Sequence, residues 1–213
     1  MQPRTSQLLS RLSESATIAM SRKARELKAA GRDIISLSLG EPDFDTPDPI
    51  KAAGIRAIEE NHTHYPPVPG FADVREAICA KLKRDNGLTY QPDQVVVSTG
   101  AKHSLMNVIL SLVDAGDEVI LPTPFWVSYA DMVNLAGGRV VEVKTGIAQD
   151  FKMTADQLRH ALTDRTRVVM LNSPNNPSGS VYTAEEVAAL AAVISAHPHA
   201  IVVSDEIYEY INF

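Results

Sequence analysis

The sequence has 213 residues, of which 45% are hydrophobic and 22% are charged, a composition typical of a globular protein with one core or two small ones. Its formal net charge of −6 argues against a nucleic acid or an anionic membrane surface as partner. A single cysteine, Cys79, excludes an internal disulfide and favours a reducing, cytoplasmic compartment. We expect no signal peptide and no membrane span, because no run approaches about 18 apolar residues.

The first part of the chain is predicted to form three helices and little else. The stretch "SATIAMSRKARELKAAG" is predicted as a helix that Gly31 ends, and a second helix begins at Pro49 and ends near Asn61. Between them, "DIISLSLGEPDFDTPDP" is predicted as a short strand followed by a turn. A third helix, "FADVREAICAKLKRDNG", ends at Gly87.

Strands and helices alternate along the rest of the chain. The predicted strands are Val95–Thr99, Glu118–Leu121, Arg139–Val143, Val168–Asn172 and Ala200–Ser204. The predicted helices are Lys102–Leu112, Ser128–Ala136, Ala155–Leu162 and Ala184–Ser195. Apolar strands that alternate with helices indicate an α/β fold, with a mostly parallel sheet between two helical layers. In such three-layer folds, ligands bind at the carboxyl ends of the strands.

Two strand ends carry residues suited to a flat, anionic ligand. The small residues of the turn Gly100–Lys102 open a helix, whose N–H groups and dipole favour an anion such as phosphate. A plain tight turn between a strand and a helix would have the same composition. Farther along, Pro122 and Pro124 stiffen a loop that presents Trp126, which is either a core residue or an aromatic surface for stacking on a ligand.

Two other strand ends carry amides and an acid. In "LNSPNNPSG", prolines hold Asn side chains that can donate to a ligand oxygen, although an ordinary turn has the same composition. Asp205 follows a buried strand with no Lys or Arg beside it, so its carboxylate needs a cationic partner or water. Tyr208 lies one helical turn later. Together the four strand ends describe pyridoxal phosphate, whose protonated ring nitrogen would be the missing cation.

Four motifs in order, "GEPDFDTP", "STGAK", "SPNNPSG" and "SDEIY", identify a family resemblance. The sequence resembles the class I aminotransferases, which are fold-type I pyridoxal-phosphate enzymes, and among them the bacterial aspartate aminotransferases. The resemblance implies a homodimer with the three-layer fold, here incomplete. It also implies that residues 1–12 are an N-terminal arm, 13–45 the first part of a small domain, and 46–213 part of the large cofactor-binding domain.

Four residues match the family's contacts to the cofactor ring. Asp205 matches the partner of the ring nitrogen, and Trp126 matches the aromatic residue that stacks on the ring. Asn176 and Tyr208 match the two ligands of the phenolic oxygen. Trp126, Asn176 and the backbone of Gly40 also match positions that contact the substrate.

Four other residues match the family's contacts to the cofactor phosphate. Gly100, Ala101 and Lys102 match the turn that binds the phosphate within one subunit. Tyr65 matches the tyrosine that reaches the phosphate of the neighbouring subunit. The resemblance therefore implies that the active unit is a dimer.

The implied reaction is amino-group transfer between aspartate, or another amino acid, and 2-oxoglutarate. Ser15, Thr17 and Lys102 match positions near the distal carboxylate of a dicarboxylic substrate. Ser15 would equally well cap the first helix, which is a common role for serine. The resemblance implies no metal, no membrane and no nucleic acid.

No residue of this chain matches the family's Schiff-base lysine or its substrate-binding arginine. All eight lysines precede Asp205, and both matches would lie beyond Phe213, so we expect the 213-residue chain alone to be inactive. Two alternatives remain open: a non-catalytic or truncated paralogue that binds the cofactor or a dimer partner, and a pyridoxal-phosphate lyase or synthase on the same fold. A regulator with an aminotransferase-like domain would need a DNA-binding module, for which the residues before the first helix leave too little room.

Overall fold

The computed structural model describes residues 6–9, 12 and 15–211, so most of the predicted N-terminal arm lies outside the described residues. The described residues form two compact units, of which one is Ala24–Ser104 and the other is the rest of the described chain. The domain boundaries predicted after residues 12 and 45 stay predictions. In the described part of the chain, no helix is both long enough and apolar enough to cross a membrane.

The three helices predicted for the first part of the chain lie wholly or partly in the unit Ala24–Ser104. The three predicted helices are α1 (Ala16–Ala29), which begins before this unit, α2 (Asp48–Glu59) and α3 (Ala72–Asn86). Gly31, with φ of 78°, and Gly87, with φ of 69°, follow α1 and α3 in the left-handed conformation. Glycine reaches this conformation without strain, which is why it ends both helices where the sequence predicts.

Two strands predicted in this unit are wrong. Neither Val95–Thr99 nor the stretch that begins at Asp33 is a strand in the described residues. A strand requires a neighbouring strand that exchanges hydrogen bonds with it. The N–H of Val97 instead donates to the carbonyl of Pro69, at 3.0 Å. Much of the apolar surface in both stretches is exposed, including 92% of Leu37.

The other unit holds the predicted parallel sheet. Its strands are β1 (Glu118–Thr123), β2 (Arg139–Lys144), β3 (Thr166–Asn172) and β4 (Ile201–Asp205). They lie in the order β2-β1-β3-β4, and each neighbouring pair is parallel. The helices are α4 (Ala101–Leu112), which begins in the unit Ala24–Ser104, α5 (Ser128–Ala136), α6 (Ala155–Ala161) and α7 (Ala184–Ser195). These elements confirm the predicted α/β fold.

Alternate residues of β1 pack against different helical layers. Val119 and Leu121 belong to a buried cluster with side chains of α4 and α5. Ile120, between them, belongs to a second cluster with side chains of α6 and α7. Because successive side chains of a strand point to opposite faces, the sheet has helices on both sides. This is the three-layer arrangement that the sequence predicts.

β1 is longer than predicted. Pro122 was expected to end it, because proline has no N–H to donate. The strand nevertheless continues to Thr123, whose hydroxyl group donates to the carbonyl of Val143 at 3.4 Å and accepts from the N–H of Thr145 at 3.3 Å. These bonds keep the end of β1 paired with β2.

The strand order places a topological switch point between β1 and β3. From β1 the chain runs outward to β2 on one side and then crosses to β3 on the other. Loops at such a switch point leave the sheet in opposite directions and open a crevice at the carboxyl ends of the strands. Trp126 lies in the loop after β1, and Asn172 and Asp205 end β3 and β4.

Candidate functional site

The candidate site lies where β3 and β4 end side by side. Asn172, the last residue of β3, is paired in register with Asp205, the last residue of β4. The side-chain amide of Asn172 donates to the backbone carbonyl of Asp205 at 2.8 Å, and the N–H of Ser173 donates to the same oxygen at 3.3 Å. The structure therefore joins the last two of the four predicted strand ends.

Asp205 is a buried acid that makes no ion pair with a Lys, Arg or His among the residues described. It is 9% exposed. Its Oδ2 accepts a hydrogen bond from the hydroxyl group of Tyr129 at 2.6 Å, and its Oδ1 accepts from the N–H of Ile207 at 3.2 Å. Both donors are neutral, so neither compensates a negative charge on this carboxylate. A buried carboxylate in this state favours a cationic ligand.

Tyr129 keeps its hydroxyl proton and therefore remains a hydrogen-bond donor to this carboxylate. It belongs to α5 and is 2% exposed. Burial raises the pKa of the Tyr129 phenol well above its usual range, and the hydrogen bond to Asp205 and the charge of that carboxylate raise it further. The phenol therefore keeps its proton throughout the physiological pH range, which fixes the direction of the hydrogen bond.

A second hydrogen-bonded pair lies beside an open cleft. The side-chain amide of Asn176 donates to the hydroxyl oxygen of Tyr208 at 3.1 Å, and the Asn176 N–H donates to Oδ1 of Asn172 at 2.8 Å. Asn172 thereby links this pair to Asp205. The cleft has a volume of about 430 Å³ and is lined by five residues of the turn 174–179, by Tyr208 and by Ile211.

Trp126 joins this cluster through Tyr129. The two rings meet edge to face, with centroids 5.4 Å apart and planes at 90°. Such a contact fixes the tilt of the indole. Trp126 is half-buried and packs at the margin of the core. An indole held in this way against the tyrosine that donates to the buried acid is suited to cover a flat ring.

The predicted phosphate-binding turn has local geometry suited to an anion. Gly100 adopts φ of 83°, and its carbonyl accepts from the N–H of His103 at 3.1 Å and of Ser104 at 3.3 Å, so α4 begins directly after it. The N-terminus of a helix carries partial positive charge. Lys102 is exposed and Ala101 is half-buried. Phosphate binding by these residues stays a prediction.

The remaining predicted site residues can be placed one at a time. Tyr65 and Gly40 are exposed, whereas Ser15 and Thr17 are half-buried. The carbonyl of Ser15 accepts from the N–H of Ala19 at 3.0 Å, so Ser15 directly precedes α1, at the position that a cap occupies. Contacts of these residues with a cofactor or substrate stay predictions. Among the described residues, no cluster of His, Cys, Asp and Glu forms a candidate metal site.

Sequence reasoning misses two residues that organise the site. Tyr129 falls within the helical pattern of α5, where an aromatic residue indicates core packing, and its partner Asp205 is 76 positions away. Asn172 is recognised only as the start of a proline-rich turn. One local signal points to Tyr129, which follows Trp126 by a single helical turn and therefore shares its surroundings.

Comparison with known proteins gives matches to one family of enzymes. Residues 32–213 match the family model for aminotransferase class I and II. The chain is 51% identical over 208 residues to the aspartate/prephenate aminotransferase of Cereibacter sphaeroides, an alignment that covers 98% of this chain and 52% of the relative. It is 52% identical over 203 residues to the aspartate aminotransferase of Geobacillus stearothermophilus, covering 95% and 51% of the two chains.

Solved structures with the same fold belong to the same group of enzymes. The aspartate aminotransferase of Thermus thermophilus with maleate matches with a TM-score of 0.95 and 42% identity, covering 100% of this chain and 55% of that one. The enzyme of Rhizobium meliloti matches with a TM-score of 0.95 and 39% identity, covering 99% and 53%. The chain spans about half the length of these relatives.

The family model and the solved structures agree on one family for this chain. Aminotransferases of class I and II depend on pyridoxal phosphate. The family model covers most of the chain, and the neighbours share its sheet and helices. The chain therefore belongs to the class I and II aminotransferases.

Proposed function

We propose that the protein to which this chain belongs is a pyridoxal-phosphate-dependent aminotransferase that transfers an amino group between an amino acid and a 2-oxo acid. The proposal rests chiefly on Asp205, a buried carboxylate with neutral donors and no cationic partner among the described residues. The protonated ring nitrogen of the cofactor would supply the missing positive charge. Because the chain spans about half of its relatives' length, the activity of the whole protein is part of the proposal.

The residues at the strand ends fit the cofactor in kind. Its ring nitrogen needs an anion, which Asp205 provides. Its phenolic oxygen needs hydrogen-bonding partners, which Asn176 and Tyr208 provide, and Trp126 offers a flat face for stacking. The adjoining cleft of about 430 Å³ has the volume of a typical small-molecule site.

Each of these side chains has a defined task in amino-group transfer. Bound pyridoxal phosphate supplies a ring that withdraws electrons from the α-carbon of the substrate. Asp205 holds the proton on the ring nitrogen, because a nearby negative charge favours the protonated form. Asn176 and Tyr208 orient the phenolic oxygen. Asn176, with the backbone of Gly40, would also bind the substrate carboxylate.

The phosphate contacts belong to the proposal as well. Gly100, Ala101 and Lys102 would bind the phosphate at the start of α4, where the helix dipole and the lysine charge favour an anion. Tyr65 would reach the phosphate of a second subunit, which makes the proposed active unit a homodimer. We place the enzyme in the cytoplasm, which agrees with its single cysteine.

We propose aspartate as the amino donor and 2-oxoglutarate as the acceptor, which agrees with the names of the relatives. Ser15, Thr17 and Lys102 would lie near the distal carboxylate of the substrate, since hydroxyl and ammonium groups are suitable donors to a carboxylate. Prephenate is a second candidate substrate, because the similar protein of Cereibacter sphaeroides is named an aspartate/prephenate aminotransferase.

The whole gene product, supplied with pyridoxal phosphate, tests this proposal. We expect it to convert aspartate and 2-oxoglutarate into oxaloacetate and glutamate, and prephenate is assayed as an alternative acceptor. Lys102→Ala should lower kcat/KM for aspartate about tenfold more than for alanine, which has no distal carboxylate. Lys144→Ala, which removes an exposed lysine of β2, is the matched control and should change neither rate. Equal losses for both substrates would remove Lys102 from the substrate site.

The two alternatives predict different products. A lyase or synthase would eliminate a group or close a ring, and a non-catalytic paralogue would bind the cofactor without turnover. The similar proteins named above are aminotransferases, so neither alternative is favoured. Mass spectrometry of the products from the same reaction distinguishes all three.

A further inference from the structure

Tyr129 touches two of the residues that define the site. Its hydroxyl group donates to Oδ2 of Asp205 at 2.6 Å, a shorter hydrogen bond than the 3.2 Å one from the N–H of Ile207 to Oδ1. The same phenol ring meets Trp126 edge to face at 5.4 Å. One side chain therefore connects the buried acid to the aromatic residue proposed to cover the cofactor.

We propose that Tyr129 is a positioning residue for the cofactor: it holds the Asp205 carboxylate in the orientation that pairs with the ring nitrogen. This inference rests on the proposed function and deepens it. A free carboxylate rotates about its Cβ–Cγ bond, and fixing it when a ligand binds costs free energy. A donor that is already in place removes this cost, as preorganised groups do in other sites.

The chemistry of the donor supports this role. Tyr129 is 2% exposed, so water does not compete for its hydroxyl group, and burial raises its pKa, so the proton stays on the phenol. The phenol is also neutral. It therefore orients the carboxylate without cancelling its charge, and Asp205 remains available for a cation. A lysine or arginine at this position would instead form an ion pair with Asp205 and so take the place of the ring nitrogen.

Two noncovalent probes can isolate this interaction in the whole gene product. One is pyridoxamine 5′-phosphate, and the other is its analogue in which carbon replaces the ring nitrogen. The analogue keeps the phosphate, the phenolic oxygen and the ring faces, but it lacks the atom with which Asp205 would pair. The probe ratio, defined as the dissociation constant of the carbon analogue divided by that of pyridoxamine phosphate, therefore reports the Asp205 interaction. Calorimetry measures both constants without catalysis.

Tyr129→Phe should lower the probe ratio about tenfold, because the hydrogen bond it removes ends on a charged group. The dissociation constant of the carbon analogue should hardly change. The matched control is Tyr182→Phe, which removes a half-buried hydroxyl group that accepts from the N–H of Met153 at 2.7 Å, and it should leave the ratio unchanged. An unchanged ratio in Tyr129→Phe would overturn the proposal. This outcome includes equal weakening of both probes, which leaves the ratio unchanged and indicates a general structural role.

If Tyr129→Phe does not fold, Tyr129→Gln and Tyr129→Leu replace it. The first keeps an N–H donor and the second does not, so a higher probe ratio for the first supports the proposal and equal ratios contradict it. The wild-type protein separates this inference from the proposed function. A wild-type ratio near one overturns both. A high wild-type ratio that persists in Tyr129→Phe overturns only the role of Tyr129.

Discussion

Two buried carboxylates lie at opposite ends of the parallel strands of one sheet, and their surroundings differ in charge. Glu118, at the start of β1, is 0% exposed. Its Oε1 accepts from Arg139 at 2.5 Å and from Arg165 at 3.0 Å, and its Oε2 accepts from the hydroxyl group of Thr163 at 2.8 Å. Asp205, at the end of β4, accepts its hydrogen bonds from neutral donors among the described residues.

This difference separates an acid that stabilises the fold from one that we propose to bind a ligand. Arginine side chains neutralise Glu118, so its cluster is complete and ties β1 to β2 and to the segment before β3. Asp205 is hydrogen-bonded only by neutral donors among the described residues, and we propose that a cationic ligand completes its surroundings. Burial alone does not distinguish a functional acid from a structural one. Burial without charge compensation, at the carboxyl ends of parallel strands, supports a functional role.

Neutralising Asp205 should have the largest effect on catalysis. In the whole gene product, Asp205→Asn should lower kcat for transamination by about a hundredfold or more, because a neutral amide does not stabilise the protonated ring nitrogen. The free energy of unfolding of the cofactor-free protein should change by no more than about 1 kcal/mol, because the weakened hydrogen bonds are offset by removal of a buried charge that has no cationic partner among the described residues. Steady-state kinetics and urea unfolding measure the two quantities.

The equivalent acid-to-amide substitution at Glu118 should give the reverse pattern, with a loss of stability and no change in kcat. Glu118→Gln should lower the free energy of unfolding by about 1–3 kcal/mol, because it weakens hydrogen bonds made to a charged group. Arg139 and Arg165 are 60% and 69% exposed, so water solvates them and the cost stays below that of a fully buried pair. The kcat of the folded protein should not change.

A matched variant controls for the substitution itself. Glu142→Gln changes an exposed glutamate of β2 and should alter neither stability nor kcat. A large stability loss in Asp205→Asn without a kinetic defect would show that this acid, too, serves the fold. A lower kcat in Glu118→Gln with an unchanged free energy of unfolding would assign a catalytic role to Glu118. Either result would remove the distinction between the two carboxylates.

Local signals explain which elements the sequence could predict. Helix α7 begins as predicted because Thr183 and Glu186 form a capping box at its start, a pattern contained within four residues. The segment Val95–Thr99 has the composition of a strand, but a strand also depends on a neighbour that the local sequence does not specify. Apolar composition alone therefore predicted a strand that the described residues lack.

The candidate site, too, was predictable where a local pattern carried the signal and not where distant residues decide the contacts. The rule that ligand-binding residues gather at the carboxyl ends of parallel strands predicts that Asp205, Asn176 and Tyr208 lie close together, and their contacts with a ligand stay predictions. Tyr129 was not predicted to join them, because its hydrogen bond crosses 76 positions and nothing near it in sequence indicates an acid. Glu118 was missed as a buried acid for the same reason: the arginines that compensate it lie on other segments of the chain.

The smallest expected effect is the pH dependence of the Glu118 cluster, and its sign is specific. Burial raises the pKa of Glu118, but hydrogen bonds from Arg139 and Thr163 and the charges of Arg139 and Arg165 outweigh it, so the pKa lies below the usual value of 4.5. A lowered pKa in the folded state means that the stabilisation is complete above 4.5 and is lost as pH falls through the folded-state value.

The difference in unfolding free energy between wild type and Glu118→Gln should therefore stay constant from neutral pH to about pH 5 and then shrink on further acidification. Urea unfolding of both proteins across this range measures it. A difference that grew with acid would mean that the arginines do not stabilise an ionised Glu118, and the contrast with Asp205 would lose its electrostatic basis.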